Sequence, residues 1–357
     1  MSEIRKAMPD VRLTREQFVR RFHERFADPG FVPLQDALDR ITDAAWQAYD
    51  DYRKAPHTRK AGPGHADPDY DLAVEWIEAS RKLQDAERRQ QDPASPPRIL
   101  LINGAARSEH TCPGESSKTF RLAKLAREIF DSESGLETEL LDLSRVTSEY
   151  GRVIHPCKTC VSTAMPLCHW PCSCYPNHAL GQVQDWMNDI YPMWAAAHGI
   201  MIVCPVNWYQ APSVLKLMID RLVCADGGNP DPTSTKGKNA ARAKEIELAG
   251  WHYPRHLAGR AFSLVVHGDA TGVDALRAAL SGWLGDMGLI EAGHKSQIGA
   301  YVGYMEPYAT SHEALDRDTG LQEEVRNAAR SLLEAVKLLR QGGLKQPDAG
   351  LQDPRPK

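Results

Sequence analysis

The pattern of apolar and polar positions divides the chain into two unlike parts. Residues 1–96 are polar with a helical period: Phe18, Phe22 and Phe26 stand at i, i+4 and i+8 on a charged background, the single apolar stripe of a helix that docks on something else. Leu38, Ile41, Ala45 and Tyr49 repeat the pattern within Asp36–Tyr52. Pro56–Pro68, with Gly62, Pro63 and Gly64, breaks it, and Asp69–Gln91 reads as a third helix. Asp92-Pro93-Ala94-Ser95-Pro96-Pro97 is a stiff linker that marks a boundary.

Beyond the linker, short apolar runs alternate with helical stretches. Ile99–Asn103, Glu137–Leu143, Ile200–Cys204, Ala261–His267 and a segment within Leu289–Gln297 predict strands. Helices are predicted over Ser117–Phe130, Leu180–Ala197, Pro212–Val223, Val273–Met287 and Ser311–Arg340. Five strands alternating with helices predict an α/β fold, a doubly wound parallel sheet covered on both faces. This domain spans 97–341 with a polar insertion at 225–258, and 342–357, rich in Pro and Gly, is expected to be disordered.

Ligands of such sheets sit at the carboxyl ends of the strands. The loop after the first strand carries Gly104, Arg107, Ser108, Gly114, Ser116, Ser117, Lys118 and Thr119, then opens a helix. Free backbone N–H groups, hydroxyls and a helix N-terminus aimed at one point suit a phosphate. The loop follows neither the triphosphate-loop nor the dinucleotide pattern, which disfavours both of those cargoes in their usual modes. Two more loops converge there: Pro205-Val206-Asn207-Trp208-Tyr209 after the third strand, and His267-Gly268-Asp269-Ala270-Thr271-Gly272 after the fourth.

Composition narrows the partners. A net charge of −4 gives no electrostatic case for nucleic acid or anionic membrane. The N-terminal residues lack the apolar core of a secretory signal, and Met193–Val206 is too short to span a bilayer. The expectation is a cytoplasmic protein whose eight cysteines stay mostly reduced. Five of them, Cys157, Cys160, Cys168, Cys172 and Cys174, lie within eighteen residues, with His169 among them. Four thiolates would suit zinc or an iron–sulfur cluster; the other reading is a reduced, partly buried cysteine loop that shapes the site. The apolar stripes of the N-terminal helices predict a homodimer or homotetramer.

The turn Pro205–Tyr209 followed by Pro212, Leu215-Lys216 and Asp220-Arg221 resembles the NADPH-dependent FMN reductase family of flavodoxin-like proteins. Ser117-Lys118-Thr119-Phe120-Arg121-Leu122 matches the end of that family's phosphate loop, although Ala105 replaces a serine and the loop is longer. The resemblance covers about Arg98–Ile290 and implies a flavodoxin-like sheet with FMN bound at the three loops. On that reading Arg107, Ser108, Ser116, Ser117, Lys118 and Thr119 hold the phosphate. Pro205, Val206, Asn207, Trp208 and Tyr209 then wall the ring, with His267, Gly268, Asp269 and Gly272 at its edge. The implied activity passes hydride from NADPH or NADH to flavin and on to a small-molecule acceptor: a quinone, flavin, azo or nitro compound. No protein nucleophile is required. Related iron–sulfur flavoproteins carry cluster cysteines after the second strand, and this resemblance implies the alternative of an electron carrier with its cluster on Cys157–Cys174.

Overall fold

A computed structural model of the protein describes residues 4–344, so most of the expected 342–357 tail lies outside the described residues. The N-terminal part holds α1 (Arg15–His23), α2 (Gln35–Asp50), a hairpin of β1 (Thr58–Lys60) and β2 (Asp71–Ala73), and α3 (Val74–Gln91). The main sheet follows, with β3 (Arg98–Asn103), β4 (Glu137–Asp142), β5 (Gly199–Pro205) and β6 (Ala261–Gly268). Its last position is shared by β7 (Ile290–Glu291) and β8 (Gln297–Tyr301). Between and after these strands run α4 (Lys118–Asp131), the single turn α5 (Arg145–Ser148), α6 (Met187–Ala196), α7 (Ser213–Arg221), α8 (Ala240–Leu248), α9 (Val273–Asp286), α10 (Ser311–Arg317) and α11 (Thr319–Arg340).

The strand order is β4-β3-β5-β6-β7, with β8 also on β6, and every pairing in the main sheet is parallel. Numbered within the domain this is the order 2-1-3-4-5 of flavodoxin-like sheets. Side chains alternate across it as a strand's period of two requires. Leu100, Ile102, Ile200, Ile202, Leu264 and Val266 face the layer that includes α3, α6, α7 and α9. Ile99, Leu101, Met201, Val203 and Val265 face α4 and α11.

Three expectations need correction. The fifth strand is two pieces: Ile290 and Glu291 pair with Ala261 and Phe262, the chain leaves the sheet, and Gln297–Tyr301 re-enters beside Leu264–Gly268. Gly293, at φ 120°, and the Ser296 N–H bonded to Gly293 O form that detour. The helix predicted from Leu180 begins at Met187, because Gly181 in the left-handed region ends a turn at His178–Leu180. The last helix is broken between α10 and α11 at Asp318, whose carboxylate accepts from Leu321 N and so starts a new helix.

The N-terminal stripe is spent largely within the chain. Phe18, Phe22, Phe26, Phe31, Trp46 and Tyr49 form a continuous ladder of ring contacts at centroid distances of 5.0–5.8 Å. α3 contributes Leu83 and Ala86 to the core on the α6 side. Trp76 Nε1 donates to Pro171 O at 3.0 Å, and Trp170 Nε1 donates to Glu87 at 3.0 Å, so α3 clamps the cysteine segment from outside. Among the described residues no helix is long and apolar enough to cross a membrane.

Candidate flavin site and the cysteine segment

The end of β3 meets the end of β5 closely. A Cβ on Gly104 would stand 2.8 Å from Cys204 Cβ, so only glycine lets the loop leave the sheet there. Beyond it the loop folds on itself. Ser108 N donates to Thr111 Oγ1 at 3.0 Å, and Ser108 Oγ accepts from His110 N at 3.2 Å. Ser108 is therefore a turn residue. The extra length from Glu109 to Glu115 reaches α10: Glu115 pairs with Arg107 and lies 3.4 Å from His312. Arg121 also holds α10, through His312 Nδ1 at 3.1 Å and Asp316.

The loop then delivers the start of α4. Ser117 caps it, accepting from Phe120 N at 3.1 Å. Thr119, buried, bonds through Oγ1 to His267 Nε2 at 2.8 Å and ties the loop after β3 to the end of β6. Burial, aided by the neighbouring Lys118 ammonium, pushes the His267 pKa down to about 3, so the ring is neutral. Lys118 is half-buried; desolvation lowers its pKa, with Asp269 acting in the opposite sense and Arg107 in the same one. Among the described residues Lys118 makes no ion pair and the Ser116 hydroxyl no hydrogen bond.

Opposite lies a turn that sequence propensity does not explain. Asn207 N donates to Gln210 O at 2.9 Å and Gln210 N to Asn207 O at 3.0 Å, closing a two-residue turn with Trp208 at φ 46° and Tyr209 at φ 66°. Consecutive left-handed residues are the geometry that Asn-Gly adopts cheaply and bulky aromatics do not. Packing does not compensate, because Trp208 is 94% exposed and Tyr209 61%. The turn is seated by Val206 N, which donates to His267 O at 2.8 Å. Gly272 seats it too: at φ 90°, its Cβ would lie 3.1 Å from Val206 and 3.3 Å from the Tyr209 backbone. Pro205 pairs in register with His267, and Gly268 and Asp269 continue beside it, the Asp269 carbonyl accepting from Met305 N at 3.3 Å.

Ser116, Ser117, Lys118, Thr119, Pro205–Tyr209, His267–Asp269 and Gly272 thus lie around one open shelf at the carboxyl edge of the sheet. Arg107 is committed to Glu115 and Ser108 to its own turn. His312 and Glu115, which no local pattern marks, join the rim. The donor set fits a phosphate: an ammonium that makes no ion pair among the described residues, a free hydroxyl and a helix N-terminus, beside which two aromatic faces stand uncovered. A separate cavity of about 340 Å³ between α1, α2 and the His178–Gly181 turn belongs to the N-terminal part.

The sequence match decides the family. A family model described as NADPH-dependent FMN reductase matches residues 97–296. The chain belongs to the NADPH-dependent FMN reductase family. Membership makes it a flavin-dependent oxidoreductase, and its sheet is the flavodoxin-like one that family carries. No curated protein matches it. Among solved structures, RosB with a bound 8-demethyl-8-formylriboflavin-5'-phosphate intermediate is 15% identical, covering 70% of this chain and 82% of RosB at a TM-score of 0.48. An apo NADH:FMN oxidoreductase is 14% identical over 70% of this chain and 92% of its own, at a TM-score of 0.35. An azoreductase from Bacillus anthracis is 12% identical over 69% and 99%, at a TM-score of 0.32. The assignment therefore rests on the family match.

The five clustered cysteines do not close on a common point. Among the described residues no group of three or more His, Cys, Asp or Glu could hold a metal ion. His169, expected as a possible nitrogen ligand, is fully buried and spent on Ser173 Oγ at 2.5 Å and Thr235 Oγ1 at 3.0 Å. One pair of thiols meets directly. Cys160 and Cys174 are 3.6 Å apart, Sγ to Sγ, and Cys224 Sγ donates to Arg221 O at 3.2 Å. Cys172 Sγ accepts from Cys174 N at 3.5 Å, and Cys157 Sγ accepts from Thr159 N at 3.3 Å. The hydrogen bond with Cys174 lowers the Cys160 pKa to about 6, against the effect of burial and with help from Lys238. Cys168 and Cys172 are pushed well up, foremost by hydrogen bonds to Cys224 and Cys174 and then by burial.

An internal ion pair supports this segment. Arg221, the arginine of the family-like Asp-Arg pair, makes two bonds to Asp185 at 2.6 and 3.1 Å with both side chains wholly buried. It also donates to His155 O at 2.9 Å and lies 4.8 Å over the Tyr175 ring. Its role here is to fasten α7 to the cysteine segment.

Proposed function

We propose that the protein binds one FMN on this shelf and uses NADPH or NADH to reduce small conjugated acceptors: quinones, free flavins, azo or nitro compounds. The observation that carries the reading is the strained, uncovered Trp208–Tyr209 turn facing the capped start of α4. Strain at an exposed position persists where function requires it. Lys118, Ser116 and the α4 N-terminus would hold the phosphate; Trp208 and Tyr209 would offer an aromatic wall, and Asn207 and Gly268–Asp269 backbone groups to the ring edge. Bound FMN supplies hydride acceptance at its N5 and electron release to the acceptor. The residues bind and orient. Neutral His267 fixes Thr119 and so the spacing between the two loops, and the open shelf admits nicotinamide and acceptor in turn.

The test is anaerobic mixing of FMN-loaded protein with NADPH and with NADH, followed by addition of a quinone, an azo dye or a nitroarene. The reading expects rapid bleaching by at least one nicotinamide and recovery of the oxidised band on adding acceptor. A protein that takes up no FMN, or whose bound FMN neither nucleotide bleaches, overturns it.

A further inference from the structure

The cysteine segment lies outside the flavin shelf, and its thiols have no part in the activity proposed above. Cys160 is half-buried and Cys174 only 7% exposed, and their sulfurs stand 3.6 Å apart. A disulfide needs about 2.05 Å between sulfurs, a closure that side-chain rotation and a small loop shift supply at this separation. Cations surround the pair. Lys54 donates to Ser173 O, the carbonyl next to Cys174, and Lys238, an exposed residue, donates to Leu167 O at 2.5 Å. Among the described residues neither lysine has a carboxylate in ion-pair range, and Cys174 acts on both ammonium groups in the sense that favours their charge.

A half-buried ammonium such as that of Lys54, with no carboxylate partner among the described residues, is costly unless negative charge forms beside it. Thiolate is the anion the surroundings can supply. The segment's remaining sulfurs are less suited: Cys168 and Cys172 are buried, with pKa values raised, and Cys157 has its thiol on the Thr159 N–H. Cys160 alone combines partial exposure, a lowered pKa and a second thiol within reach.

We propose that Cys160 and Cys174 form a dithiol–disulfide couple that exchanges with low-molecular-weight disulfides. The Cys160 thiolate attacks one sulfur of the disulfide RSSR; the S–S bond breaks, RS⁻ leaves, and Cys160–S–SR forms. Cys174 then attacks the Cys160 sulfur, releasing its proton to solvent, and expels the second RS⁻. The net reaction converts two protein thiols and RSSR into one protein disulfide and two RSH. The protein is oxidised by two electrons and RSSR reduced by two. The new bond would tie the start of the segment to its end and lock the strip that α3 covers.

The full chain, loaded with FMN, is equilibrated in glutathione buffers of increasing oxidising poise. Free thiols are blocked with one alkylating reagent, and the oxidised ones are labelled with a second after reduction, then assigned residue by residue from fragment spectra. The expected result is a fall from eight blocked thiols to six, with Cys160 and Cys174 alone in the second label. Cys174→Ser is expected to trap Cys160 as a mixed disulfide with glutathione, and Cys160→Ser to show no such adduct at position 174. The wild-type measurement does not depend on either variant folding. Eight free thiols at every poise, or a disulfide that joins Cys157 to Cys160 or Cys172 to Cys174, would overturn the assignment.

Discussion

Replacing Trp208-Tyr209 with Asn-Gly separates the two roles of the turn. The pair holds φ values of 46° and 66°. A left-handed conformation costs an ordinary residue about 1–2 kcal/mol, and Asn and Gly much less. Glycine returns part of that gain, about 0.4–1 kcal/mol, through the greater freedom of the unfolded chain. With exposures of 94% and 61%, the lost rings remove little buried area. The flavin-free double variant should therefore be more stable than wild type by about 1–3 kcal/mol in urea unfolding. The Asn207–Gln210 hydrogen bonds are kept, so the turn itself survives. Flavin affinity should move the other way: an aromatic stacking face is worth about 1–3 kcal/mol, a loss of roughly ten- to a hundredfold. Equilibrium unfolding and quenching of FMN fluorescence read the two quantities independently. A variant less stable than wild type would show that the rings pack structurally, and one that binds FMN as tightly as wild type would remove the turn from the site.

Three other outcomes follow from the same geometry. Asp185→Asn leaves the buried Arg221 without its counter-charge and should cost about 3–5 kcal/mol, read as a fall in thermal midpoint; an unchanged midpoint would mean that Arg221 finds another partner. His267 has its pKa lowered from 6.5 to about 3, so between those values the unfolded chain binds the extra proton and stability falls as pH drops. From pH 7 to 5 this amounts to about 2 kcal/mol; His267→Gln, assayed flavin-free, should lose that part of the slope, and identical slopes would refute it. Lys118→Met should weaken FMN binding about tenfold or more while shifting stability by under about 0.5 kcal/mol, and calorimetry showing equal affinity would exclude Lys118 from the phosphate site.

Much of the fold was readable because buried parallel strands are continuous apolar runs and their helices are amphipathic. Leu100-Leu101-Ile102 and Ile200–Val203 announce themselves that way. The split of the fifth strand was not readable: Ile290–Glu291 and Gln297–Tyr301 are short, partly exposed edge pieces whose pairing is set by β6. The candidate site was legible in the sequence where its residues are contiguous, as in Ser116–Thr119 and Pro205–Tyr209. It was illegible where partners are distant in the chain, as with His312 against Glu115 or Asp185 against Arg221. The cysteines show the limit of spacing as a guide. Density suggested a common ligand set, but the loop's own turns bring Cys160 beside Cys174 and, among the described residues, leave no three ligands placed for one ion.

The central claim, that the loop after β3 and the turn after β5 hold a single flavin mononucleotide by phosphate and ring together, is tested most directly by titrating the flavin-free protein calorimetrically with FMN and with riboflavin, which lacks the phosphate. The account predicts one equivalent of FMN bound at least about a hundredfold more tightly than riboflavin, the worth of a charge-assisted phosphate site. Equal affinities for the two, or no binding of FMN, would contradict it.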